Sequence, residues 1–294
     1  MSQVQPDALG ELASVWWLLA AVGVCLPVCI YVFVHIGRWW VTSLPLPLPL
    51  DRAYPAVPYP AWVGLVLFVG LQALAVAAAL AFLAAGEVGL FPAPAAGAPD
   101  MVHPTAVILA QIVPLVAGLV LLRAFGRGAH ETVNVRWGSV AAGLRLGVLS
   151  FAAILPICVG ALVVSVAALQ LVKGPIETHP LLQTVQTSRE PWVLALATFE
   201  AVVLAPLWEE FVYRGVLLTA LLRGGGPIAA LVVSSALFAV VHVPTEPQAL
   251  LPIFFLGMAL GYAAYRTRSL VAPIIAHALF NGLMVLGTIL GSGG

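Results

Sequence analysis

Residues 62–85, WVGLVLFVGLQALAVAAALAFLAA, run for two dozen positions without a charged side chain. A backbone in hydrocarbon has no water to bond to, so such a segment must satisfy its own amides as a helix. About 20 mostly apolar residues suffice to cross a bilayer. Further runs at 14–36, 104–124, 139–170, 192–222, 227–244, 248–265 and 269–290 come close to or exceed that length. The expectation is an all-α polytopic membrane protein of about eight transmembrane helices. The runs 139–170 and 192–222 are long enough to tilt or to project from the bilayer.

Composition agrees. The chain of 294 residues is 62% hydrophobic and 8% charged, with mean hydropathy +1.08. Soluble domains carry about 25% charged residues. The formal net charge is zero, so no nucleic-acid partner is expected. Cys25, Cys29 and Cys158 lie in apolar runs without zinc-like spacing and read as small buried hydrophobes. The N-terminal stretch MSQVQPDALGELASVWW lacks a basic region and a cleavage site, so 14–36 reads as a span that is retained. Trp16, Trp17, Trp39 and Trp40 flank it as an interfacial belt.

Proline-rich connectors follow the first two spans, TSLPLPLPLDRAYPAVPYP and FPAPAAGAPDMVHP, and read as extended loops. Arg38, Arg52, Arg123, Arg127, Arg136, Arg223, Arg266 and Arg268 fall in odd-numbered loops. Only Lys173 and Arg189 fall in an even one. Basic loops stay in the cytoplasm, which puts both termini outside. The Ala-, Leu- and Gly-rich, lysine-poor composition resembles that of a GC-rich bacterium, so a bacterial cytoplasmic membrane is the expected location.

The two halves differ in the polar groups they carry. Residues 1–173 form an N-terminal region of about four helices with few ionisable groups inside the spans. Residues 174–294 hold Glu200, Glu209, Glu210, Arg214, His242 and His277 within spans. Intramembrane ionisable groups are rare and mark functional sites by default. Glu209 lies thirteen positions before Leu222 and His242 fifteen after Pro227, on either side of the turn RGGGP. At about 1.5 Å per residue, both would sit roughly 20 Å from that turn. His277 and Asn281, four apart, share one helix face. Asn281 is one of two asparagines in the chain, with Asn134.

A carboxylate with a neutral histidine can deprotonate water, and N–H donors can hold a tetrahedral oxyanion. Glu210 and Arg214 are four apart in the acid-then-base order that favours an intrahelical pair. The adjacent Glu209 points about 100° away and is left to face a cavity. Glu200 reads as solvated in the outer part of its span and takes no role. The stretch ETHPLLQ, with Glu177 and His179, reads as a solvated loop.

Three motifs gather these residues: EEFVYR (Glu209, Glu210, Arg214), FAVVH (Phe238 to His242) and HALFN (His277 to Asn281). Their order and helical settings resemble the CAAX proteases and bacteriocin-processing enzymes, the CPBP family, which includes the Ras-converting CAAX endopeptidase. The resemblance covers about residues 190–290. It implies an eight-helix intramembrane endopeptidase acting on a membrane-associated peptide or protein. Carried over, Glu209 and His242 activate water, His277 and Asn281 hold the oxyanion, and Glu210, Arg214 and Phe238 serve structure or substrate placement. No cofactor is favoured. If zinc is used, Glu209, His242 and His277 are its three ligands. CAAX substrates are prenylated proteins, and bacteria generally lack protein prenylation, so the substrate is open. A different class of function also fits the residues: a non-proteolytic scaffold, or a regulatory or immunity partner, held together by the same polar cluster. A secondary transporter is less favoured, for want of an inverted repeat.

Overall fold

The computed structural model describes residues 61–88, 102–124, 140–172, 174, 176, 179–188, 190–224 and 226–291. The run 14–36, its tryptophans, Cys25, Cys29 and most of both proline-rich connectors lie outside them. The fold is all-α. Helix α1 is Ala61–Glu87, α2 Val102–Ala124, α3 Val140–Leu171 and α4 Pro180–Thr187. Helix α5 spans Pro191–Gly224, α6 Gly226–Val240, α7 Leu250–Thr267 and α8 Val271–Gly291. Among the described residues, five helices are long and apolar enough to cross a membrane: α1, α3, α5, α7 with its preceding turn, and α8. Shorter apolar helices occur at Val107–Leu121 and Gly226–Val240.

Two expectations change. The stretch read as a loop, ETHPLLQ, contributes to α4. His179 caps that helix, its Nδ1 accepting from Leu181 N–H at 3.2 Å, and Pro180 supplies a first helical residue that needs no N–H partner. Helix α6 also stops at Val240, short of 244. His242 N–H and Val243 N–H reach back three residues, to Ala239 and Val240, and Pro244 offers no N–H to extend the ladder. His242 therefore sits in a turn, and helical rise counts only as far as Val240.

The polarity pattern is inverted relative to a water-soluble fold. Val66, Val69 and Leu80 are 61%, 63% and 60% exposed, while Glu210, Arg214 and Thr219 are fully enclosed. In water, so much outward apolar surface would drive association. In lipid it meets its own kind, and polar side chains turn inward to find partners.

The chain divides into two compact units that interleave along the sequence. One includes residues 152–178 and 235–257. In it, Cys158 Sγ donates to Pro252 O at 3.5 Å, joining α3 to α7. Gly257 lies so close to Ser235 that an added Cβ would stand 3.0 Å from the serine Cβ. The other includes residues 50–151, 179–234 and 258–294. There α1 packs on α2 and on the second half of α5, and α8 packs on α4 and the first half of α5.

Small residues set the spacing inside this second unit, as lipid gives helices no hydrophobic reason to associate. Gly143 and Gly147 on α3 form a G-x-x-x-G pair facing Val271, Ala272 and Ile275 of α8. A Cβ at Gly147 would stand 2.7 Å from Ile275 Cβ and 2.8 Å from Ala272 O. Backbone cannot move aside as a side-chain tip can, so Gly147→Leu is expected to destabilise the fold by at least about 1–3 kcal/mol. Reversible unfolding in mixed detergent micelles measures this. An unchanged midpoint would mean that α3 and α8 do not meet at these glycines.

Candidate active site

Helix α5 is not a uniform α-helix. It runs as α over Pro191–Phe199, π over Glu200–Leu204, α over Ala205–Glu209, π over Glu210–Leu217 and α over Leu218–Gly224. The π geometry shows in the bonds: Ala205 N–H goes to Glu200 O and Leu218 N–H to Tyr213 O, each five residues back. Such segments concentrate at functional sites. Here the first opens at Glu200 and the second at Glu210.

Pro206 makes the first π turn leave a carbonyl open. Ala205 N–H is committed to Glu200 O, and residue 206 has no N–H to offer Ala201 O. Asn281 Nδ2 on α8 donates to that carbonyl at 2.9 Å. Side chains likewise serve the second segment. Ser234 Oγ donates to Tyr213 O at 3.4 Å, and Thr219 Oγ1 to Arg214 O at 3.3 Å. Neighbouring polar side chains are what make irregular helix tolerable in a membrane.

The motif residues EEFVYR build a charged core on this frame. Arg214 Nη1 donates to Glu210 Oε1 at 2.8 Å, the pairing that the spacing predicts, with both side chains buried. His277 joins the same oxygen: its Nδ1–H donates to Glu210 Oε1 at 2.9 Å. A carboxylate only accepts, so the proton of this bond belongs to the imidazole. The other ring nitrogen, Nε2, lies 3.6 Å from Glu209 Oε2. His277 thus spans both glutamates, linking α8 to α5. Glu209 is the more open acid, its side chain 21% exposed against 0% for Glu210. Glu210 Oε2 is enclosed and has no hydrogen-bond partner among the described residues. An unused buried acceptor calls for an explanation beyond packing.

The FAVVH motif holds its own histidine. His242 Nδ1–H donates to Phe238 O at 2.7 Å, and the two rings meet edge-on at 5.1 Å and 70°. With the proton on Nδ1, Nε2 carries the lone pair and is the basic nitrogen. The four-residue interval is what lets the Phe238 carbonyl make this choice.

Some contributors were missed by the sequence reading. Glu200 was expected to be solvated. It is buried, and its Oε1 accepts from Gln111 Nε2 of α2 at 2.8 Å. Tyr213 Oη accepts from Gln72 Nε2 of α1 at 3.5 Å, and its ring meets Phe68 edge-on at 5.4 Å. The available signal was a glutamine alone in an apolar span: Gln72 in 62–85 and Gln111 in 107–121. Each reaches α5, as polar residues in membrane helices do. Among the described residues, no three His, Cys, Asp or Glu side chains are grouped to hold a metal ion.

Fold and site together define the class: a helical membrane protein with an acid, imidazole and guanidinium cluster enclosed among its helices. Residues 191–283, which take in all three motifs, match the family model described as Rce1-like, type II CAAX prenyl endopeptidase Rce1-like. The match is to the family that the three motifs resemble, and it covers about a third of the chain. No curated protein and no solved structure matches the chain.

Proposed function

We propose that the protein is an intramembrane endopeptidase of the glutamate-dependent kind, hydrolysing a peptide bond in a membrane-associated substrate. Residues 174–294 are its catalytic region. The observation that carries this reading is the Glu209, Glu210, Arg214 and His277 cluster, in which one acid is enclosed and the other open. Glu209 takes the proton of the attacking water, with His242 as the second basic group, because the Nδ1–H bond to Phe238 O makes Nε2 the lone-pair nitrogen of the neutral ring. As the tetrahedral oxyanion forms, Asn281 donates N–H to it, and His277 does so from Nε2 when its ring is the imidazolium, since its Nδ1–H stays on Glu210. Glu210 and Arg214 hold His277 in orientation and neutralise part of the local charge. No step requires a metal.

The experiment is cleavage of membrane-anchored peptides, prenylated and unprenylated, by the purified chain in lipid nanodiscs. Release of a C-terminal fragment is expected and is expected to survive dialysis against a zinc chelator. His242→Ala is expected to lower the rate by about 10²–10⁴. Full activity in that variant would remove His242 from the mechanism. Loss on chelation, restored by zinc, would overturn the metal-free reading. Cleavage of only prenylated peptides would identify a CAAX-type substrate. The same reading sets the chain in a bacterial cytoplasmic membrane with both termini outside, which labelling of single cysteines placed in successive loops checks.

The competing class, a non-proteolytic scaffold or immunity partner, has one observation in its favour: Glu210, Arg214 and His277 bond to one another across two helices. Under that reading Glu209→Gln is without phenotype, whereas breaking the Glu210 pair is not.

A further inference from the structure

Glu200 is a buried acid outside all three motifs, and the chemistry above makes no use of it. Its bond to Gln111 ties the start of the first π turn to α2. One residue on, the Ala201 carbonyl takes Asn281 Nδ2. The two bonds bracket the same turn from opposite neighbours, α2 and α8.

The π register is what keeps the Ala201 carbonyl open. Were the turn to revert to α, Ala205 N–H would move from Glu200 O to Ala201 O, four residues back, and displace the asparagine. A planar amide carries two N–H groups at a fixed angle. Fixing one on Ala201 O therefore sets the direction of the other.

We infer, on the reading of Asn281 as an oxyanion donor, that Glu200 and Gln111 are positioning residues, clamping the Glu200–Leu204 turn in π form so that Asn281 is held on Ala201 and presents its second N–H to the reacting carbonyl. Glu200 touches no substrate and acts through Asn281. The contact needs an acceptor oxygen at position 200 and a donor at 111. Glu200→Gln supplies that oxygen, whereas Glu200→Leu and Gln111→Leu each break the bond.

The chain has two asparagines, Asn134 and Asn281, so ¹⁵N-asparagine labelling in nanodiscs yields two side-chain amide pairs, assigned by Asn281→Ala. In wild type and Glu200→Gln, the Asn281 pair is expected at a hydrogen-bonded shift with slow proton exchange. In Glu200→Leu and Gln111→Leu, exchange is expected to rise roughly tenfold. An Asn281 pair unchanged in both leucine variants overturns the clamp. Should Glu200→Leu fail to fold, Gln111→Leu decides alone, since it leaves α5 untouched. The kinetic arm asks for coupling. Gln111→Leu should lower kcat roughly tenfold with KM unchanged, and should add nothing in an Asn281→Ala background. Additive losses would mean a merely structural contact and overturn the inference. If the wild-type chain cleaves no peptide, the protease reading fails by itself, and the amide spectrum still decides for or against the clamp.

Discussion

Glu209→Gln is expected to slow peptide cleavage by about 10²–10⁴, the range typical of a lost general base, without altering the unfolding midpoint. The amide is isosteric and keeps the van der Waals contact with His277, but it cannot take a proton from water. Glu209 is the right acid to test because it is the open one: its neighbour Glu210 is sealed and spends Oε1 on both Arg214 and His277. Glu209→Asp keeps the charge but retracts it by one methylene, so a partial loss is expected. Rates come from single-turnover cleavage in nanodiscs and stability from the same samples. An amide variant that cleaves at the wild-type rate would leave this cluster without a catalytic acid and favour the scaffold.

The largest expected effect on stability belongs to Arg214. Arg214→Met removes a fully buried guanidinium and leaves the Glu210 carboxylate enclosed with only the imidazole to answer its charge. Breaking one side of a buried pair typically costs about 3–5 kcal/mol. Removing both charges is gentler. Glu210→Gln combined with Arg214→Met retains an acceptor for His277 and strands no ion, so at least half of the loss should return. Denaturant titration of the two single variants and the double gives the coupling directly. A double variant as unstable as the sum of the singles would show that the pair is not the unit of stability.

Much of this site can be read from spacing. The four-residue intervals Glu210 to Arg214 and His277 to Asn281 specify shared helix faces, and the fold presents them so. Among the described residues, the apolar runs locate the helices to within a few residues, because hydrocarbon thickness leaves little choice of length. Other features could not be read this way. The π segments depend on which carbonyls find side-chain donors, and Pro206 acts only in combination with Asn281, 75 residues further along the chain. The bond from His277 to Glu210 joins separate helices, and depth alone does not select which of two adjacent glutamates it meets. His242 was counted along a helix that Pro244 had already ended. Glu200 looked solvated because its partner, Gln111, lies on a helix that carries no motif.

The two π segments of α5 have a consequence for how such a helix can vary. Each accommodates one residue more than the α form would. Deleting a single residue from either would let that turn relax to α with the helix beyond it still in register. In the first segment, the relaxed turn would close the backbone carbonyl that now takes Asn281 Nδ2. Between Glu210 and Arg214, the loss would shorten their four-residue interval to three. From Glu200 to Leu217, length itself is under the same constraint as chemistry.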